Sequence, residues 1–79
     1  MNTIIDTITC PITNCVMTDP VSGSDGHTYE RTAIERALQI RQESPITRAF
    51  MCVSSLKLNV AIKYLCDKYN NGELNLDNQ

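Results

Sequence analysis

The N-terminal MNTIIDTIT has no basic start and no apolar run of about seven residues, so it is not read as a signal peptide. No segment approaches the length of a membrane span. Lys and Arg do not cluster; seven basic residues against nine acidic ones give a net charge of -2 and a pI near 5.1. That balance argues against nucleic acid or an anionic membrane as the main partner. There is no glycine-rich phosphate loop and no serine-centred elbow, and the carboxylates are scattered. Histidine occurs once, as His27, which leaves a single candidate base for a cysteine nucleophile. It sits at the edge of an expected hairpin with no supporting motif, where a structural hydrogen-bonding role is the simpler reading. Repeats and low-complexity tracts are also missing. These absences remove classical active-site chemistry and leave surface recognition.

What is present must first make a stable domain. A chain of 79 residues forms one domain that buries only about 60% of the surface its unfolded form exposes, so its core is thin and needs a staple. Four cysteines are available, Cys10, Cys15, Cys52 and Cys66. The expected compartment is reducing, cytoplasmic or nuclear, where they read as thiols or metal ligands rather than disulfides. Cys10 and Cys15 enclose four residues, the wide edge of zinc-ligand spacing, and one site of three cysteines with His27 is open by arithmetic. No second close pair exists, and a cross-brace of two four-coordinate zincs needs more ligands than the chain offers. Cys66 falls on an apolar helical stripe, where a thiol acts as a small hydrophobe. The expectation is therefore buried or half-exposed thiols, with no metal and no cofactor.

The segment 28–41, TYERTAIERALQIR, predicts the central helix, with Ile34, Ala37, Leu38 and Arg41 at i, i+3, i+4 and i+7. Its start is expected between Thr28 and Glu30, its end between Gln39 and Gln42, and Arg31 and Glu35 are spaced for an i,i+4 pair. Upstream, Asp19–Ser22 and His27–Tyr29 predict two short strands joined by the Gly23-Ser24-Asp25-Gly26 turn. Downstream, Asn59 predicts the N-cap of a C-terminal helix with an apolar stripe of Ala61, Ile62, Leu65, Cys66 and Tyr69. Phe50 to Val53 reads as a buried turn or short strand. Two loops of similar grammar flank the central helix: Cys10-Pro11-Ile12-Thr13 and Ser44-Pro45-Ile46-Thr47-Arg48. Ile12 and Pro45 lie in otherwise polar surroundings, and composition leaves open whether they point into the core or out to a partner. The expected organisation is a flexible lead-in over 1–7, a folded domain over 8–70 and a polar tail over 71–79.

Taken in order, several blocks resemble the signature of the U-box family. They are Cys10-Pro11-Ile12-Thr13, Met17-Thr18-Asp19-Pro20-Val21, Asp25-Gly26-His27-Thr28-Tyr29-Glu30-Arg31, Ala33-Ile34-Glu35, Ser44-Pro45-Ile46-Thr47-Arg48, and Leu56 with Asn59, Ala61, Ile62 and Lys63. The resemblance runs from about Ile8 to Tyr69 and implies an α+β, RING-like fold without zinc: two irregular loops, a short β-hairpin, a central helix and a C-terminal helix. In that fold a polar network replaces the metal, and the candidates here are Thr13, Asp19, Ser24, His27, Arg31, Thr47 and Asn59. It further implies a ubiquitin-protein ligase module that binds a ubiquitin-charged conjugating enzyme and promotes transfer to a substrate lysine, with no covalent intermediate of its own. Ile12, Asn14, Ala37 and Pro45 would contact the enzyme, and Arg48 would bridge enzyme and ubiquitin. Ala37 stands where the family often has tryptophan, Asn14 where some members have an aromatic, and Leu58 where a proline commonly precedes Asn59. The first two departures predict weak or narrow enzyme choice. The alternative function is a non-catalytic module of the same fold, a decoy or assembly piece. Substrate would come through a separate adaptor or a further domain, and a homodimer fits the same frame.

Overall fold

The computed structural model describes residues 3–73. Its elements in order are α1 (Thr3–Ile8), β1 (Pro20–Ser22), β2 (Thr28–Glu30), α2 (Arg31–Ile40), a 3-10 turn at Val53–Ser55, β3 (Lys57–Leu58) and α3 (Val60–Asn70). The three strands form one antiparallel sheet in the order β2-β1-β3. The expected hairpin is there, with Val21 opposite Tyr29. Gly26 takes φ +85 at the turn, a conformation that costs a residue without a side chain little. Gly23 is needed for a different reason: a Cβ there would lie 2.7 Å from Met51 Sδ and 2.9 Å from Asp25 Oδ1.

Two expectations shift. The lead-in is helical from Thr3 to Ile8, because Ile5 and Ile8, one turn apart, both turn to the core, and Ile8 is fully buried. The central helix starts only at Arg31, because Thr28–Glu30 are committed to pairing with β1. Glu30 accordingly leaves the helix and accepts the Thr18 and Asp19 backbone N–H groups at 2.8 and 2.9 Å, tying β2 to the segment before β1. β3 adds a strand that the sequence gives no sign of, two residues long and held by Val21 and Ser22. The part of the tail beyond residue 73 lies outside the described residues.

Ile34 and Leu38 of α2 enter the core with Tyr29, Met17, Met51 and Cys66. α3 closes it through Ile62, Leu65, Cys66 and Tyr69, while Ala61 is exposed and drops out of the expected stripe. Asn59 caps α3 as expected: its Oδ1 accepts the Ile62 N–H at 3.1 Å, and its Nδ2 donates to Ser22 Oγ and Thr28 Oγ1. One side chain thus fixes both a helix start and two strands. In the Phe50 to Val53 segment only Met51 is buried; Phe50 is 72% exposed and bridges Glu43.

The staple centres on Asp25. Ser44 Oγ and the hydroxyl of fully buried Tyr29 both donate to Asp25 Oδ2, at 2.6 and 2.5 Å, and the His27 backbone N–H donates to Oδ1. Burial raises the Asp25 pKa, but the donors from Ser44, Tyr29 and His27 and the nearby His27 charge outweigh it, so the carboxyl titrates below its usual value. For Tyr29, burial first and the Asp25 carboxylate second push the phenol up to about 12. Because the folded phenol titrates above its unfolded value of 10.0, its contribution is complete below that pH and is lost as pH rises toward about 12. Tyr29→Phe is expected to flatten this alkaline loss and to lower the melting temperature near neutrality by roughly 4–8 °C, for about 1 kcal/mol of lost hydrogen bonding. Thermal melts from pH 8 to 12 on both proteins would check it.

Of the other expected network members, Asp19 receives Arg31 Nε at 2.7 Å, and Arg31 also reaches Glu35 at 3.9 Å. Thr13 and Thr47 each accept a loop N–H at 3.2 Å. Ser24 and His27 are both exposed and neither side chain makes a hydrogen bond among the described residues; His27 enters the network only through its backbone N–H and its charge beside Asp25. Their neighbour Asp25 is the turn residue that points inward. No buried side-chain nitrogen or oxygen among the described residues lacks a partner, which such a network requires.

Candidate docking groove

The two loops beside α2 are one structural motif used twice. In the first, Asn14 N–H donates to Cys10 O, Cys10 N–H to Cys15 O, Cys15 N–H to Thr13 Oγ1, Ile12 N–H to Cys10 Sγ and Met17 N–H to Ile8 O. In the second, the same five bonds run from Arg48 to Ser44 O, Ser44 to Ala49 O, Ala49 to Thr47 Oγ1, Ile46 to Ser44 Oγ and Met51 to Gln42 O. Each loop is sealed by a bridge, Thr9 with Val16 and Glu43 with Phe50. Met17 and Met51 plug the core at equivalent points. The Cys-Pro-Ile-Thr and Ser-Pro-Ile-Thr echo was the visible signal of this duplication. In both, the fifth residue has positive φ: Asn14 at 61 and Arg48 at 67.

Loop closure here falls to side chains. Cys10 Sγ accepts from Ile12 and, at 3.3 Å, from the Glu30 N–H, while Ser44 Oγ accepts from Ile46 and Thr47 and donates to Asp25. Among the described residues no three His, Cys, Asp or Glu side chains come together as a metal-holding group. Cys10 and Cys66 are buried, Cys52 half-exposed and Cys15 exposed, all as free thiols. A hydrogen bond with Ser54 lowers the Cys52 pKa, whereas burial raises that of Cys66.

Between the loops, α2 offers the side next to Ile34 and Leu38, along Ala33 and Ala37, which are half-buried against the edge of the core. A depression of about 300 Å³ is lined by Ile12, Thr13, Thr32, Ala33 and Arg36. A second of about 330 Å³ is lined by Ala37, Ile40, Arg41, Glu43, Pro45 and Arg48. Four of the five expected contact residues, Ile12, Ala37, Pro45 and Arg48, therefore line two hollows on successive turns of one helix. Asn14 is exposed on the first loop but lines neither hollow. Ile12 and Pro45 point outward, which answers the question composition left open. Ile40, 78% exposed at the end of α2, belongs to the second hollow and was not anticipated. Its helical spacing from Ala37 was the clue. Arg48 is 72% exposed and pairs with Glu43 at 3.2 Å.

Two sealed loops, a helix between them, a three-stranded sheet and a polar staple define a small RING-like α+β domain. Residues 4–73 match the family model described as the U-box domain, and the chain belongs to the U-box family. It is 37% identical over 68 residues to the E3 ubiquitin-protein ligase SPL11 of rice, which covers 85% of this chain and 10% of that protein. It is 34% identical over 67 residues to the human WD repeat, SAM and U-box domain-containing protein 1, covering 84% of this chain and 14% of that one. With U-box domain-containing protein 43 of Arabidopsis thaliana it shares 31% identity over 85 residues, covering 98% and 10%. The chain thus spans a small fraction of the length of these relatives.

Proposed function

We propose that this chain is a ubiquitin-ligase module that docks a ubiquitin-charged conjugating enzyme and promotes aminolysis of its thioester by a substrate lysine. The observation that carries this reading is the convergence of Ile12, Ala37, Pro45 and Arg48 on one side of α2, together with membership of a family that includes a named E3 ligase. In the transfer, the neutral lysine amine forms an amide bond to the ubiquitin carbonyl and gives up one proton to solvent, the carbon–sulfur bond breaks, and the enzyme's cysteine leaves as a thiolate. None of this needs a nucleophile from the module. Holding the reactants together supplies the acceleration, and a guanidinium at Arg48 is shaped to bridge two acceptor groups at once. The cytoplasm or nucleus, where free thiols persist, is the setting this function calls for.

Ala37 leaves the second hollow shallow. Ala37→Trp is expected to tighten enzyme binding by about tenfold, since a buried aromatic is a common interface anchor. A destabilised protein with no tighter binding would assign Ala37 to the core instead. The test of the function itself is discharge of ubiquitin from a panel of charged conjugating enzymes to free lysine. Ile12→Ala is expected to slow discharge by about tenfold at subsaturating module. Binding without acceleration by the unaltered chain would favour the decoy reading.

A further inference from the structure

The cations of the chain divide into paired and unpaired, and the division has a spatial pattern. Arg31, Arg48, Lys63 and Lys68 each face a carboxylate: Asp19 and Glu35, Glu43, Asp67, and Glu73. Among the described residues Arg36, Arg41 and Lys57 form no ion pair, and all three are exposed. Lys57 lies on β3, but Arg36 lines the Ile12 hollow and Arg41 the Ala37–Pro45 hollow. With Arg48 the groove carries three guanidiniums against one carboxylate, Glu43, in a chain whose net charge is -2. The groove is the cationic region of an acidic molecule.

On a freely hydrated surface two unpaired arginines would mean nothing more than solubility. These two border apolar hollows, so any partner seated on Ile12, Ala37 and Pro45 strips water from their guanidiniums. A partner with carboxylates opposite them recovers that desolvation, whereas one with lysines or arginines there meets both desolvation and repulsion. The groove is therefore selective by rejection as much as by attraction. We infer that Arg36 and Arg41 set partner choice, admitting conjugating enzymes whose docking surface is acidic and excluding those whose docking surface is basic. The inference rests on the ligase reading above and deepens it: the apolar centre gives docking, and the two arginines at its border give discrimination.

The test uses the full chain with purified, ubiquitin-charged conjugating enzymes chosen in two groups, acidic and basic on their ligase-docking surfaces. Discharge to free lysine is measured for the unaltered chain, for Arg36→Glu, for Arg41→Glu and for the double reversal, at about 0.05 and about 0.3 M salt. The unaltered chain should prefer the acidic group, with the preference falling as salt rises. Each reversal should weaken acidic-group discharge by about threefold and the double by about tenfold, while basic-group discharge rises. Changing a docking-surface carboxylate of a responsive enzyme to lysine should restore discharge with the double reversal. Equal effects on both groups, or none, would overturn the inference while leaving the ligase function standing. Failure of the unaltered chain to discharge any enzyme would overturn both. Melting temperatures of the exposed-site variants separate loss of fold from loss of recognition.

Discussion

Arg48→Asn is expected to slow ubiquitin discharge at least about tenfold while leaving the melting temperature within about 2 °C of the unaltered protein. The choice of asparagine follows from the backbone. At φ 67 arginine and alanine both carry a Cβ and both sit at a cost of roughly 1 kcal/mol, so Arg48→Ala would remove the guanidinium and keep that cost. Asparagine tolerates this conformation and already occupies the equivalent position, Asn14, in the first loop. Any loss of discharge then reports the side chain. The expected size corresponds to about 1.4 kcal/mol, at the low end of a hydrogen bond to a charged group. Glu43→Gln should act in the opposite sense. The Arg48–Glu43 pair is exposed enough to be worth only about 0.2–1 kcal/mol, and freeing Arg48 from it should raise discharge by up to about fivefold. Steady-state binding measured beside discharge would separate the two effects: Arg48→Asn should lower the rate at saturating module, whereas Ile12→Ala should recover at saturation.

The largest stability effect is expected at Ser44, which is fully buried. Ser44→Ala removes the acceptor for the Ile46 and Thr47 amides and one donor to Asp25 in a single step. Leaving these three half-buried polar groups unmatched at once costs about 2 kcal/mol, which for a domain of this size is a fall of roughly 8–16 °C in melting temperature. The acid side gives a second signature. Asp25 titrates below the ordinary aspartate value of 3.8, so its contribution is present above that pH and is lost as pH falls through the folded value. Because the Ser44 hydrogen bond is the leading cause that lowers this pKa, Ser44→Ala should weaken the acid dependence as well as the neutral stability. Thermal melts between pH 2 and 7 on both proteins measure it. An unchanged melting temperature at pH 7 would show that the second loop closes without this residue.

The parts of the fold legible in the sequence are those written in local patterns. Ile34 and Leu38 at helical spacing placed the buried side of α2, and Asn59 announced the start of α3 one residue ahead of it. The Asp25-Gly26 pair located the hairpin turn. The staple was legible only in kind. Ser24, Asp25 and His27 are all polar residues suited to a turn, and their one-dimensional order gives no hint that Asp25 alone meets Tyr29 and, 19 residues on, Ser44. β3 and α1 escaped for a related reason: both are too short for periodicity, and tertiary packing on Val21 and on the core decides them. At the groove, the resemblance singled out Ile12, Ala37, Pro45 and Arg48 and helical spacing from Ala37 pointed to Ile40, while the place of Arg36 and Arg41 became visible only once α2 was set between the loops.

That helix also acts as a ruler. The two hollows are anchored on Ala33 and Ala37, one turn apart, so about 6 Å of axial rise fixes their spacing. Their angular phase is fixed with equal rigour: inserting a single residue between Ala33 and Ala37 would turn everything after it by about 100°, swinging the second hollow off the shared front while each sealed loop stayed intact. Tolerance to change should therefore be uneven along this chain. Substitutions in α2 that keep its length retune a two-point gauge, and any change in its length destroys the gauge itself.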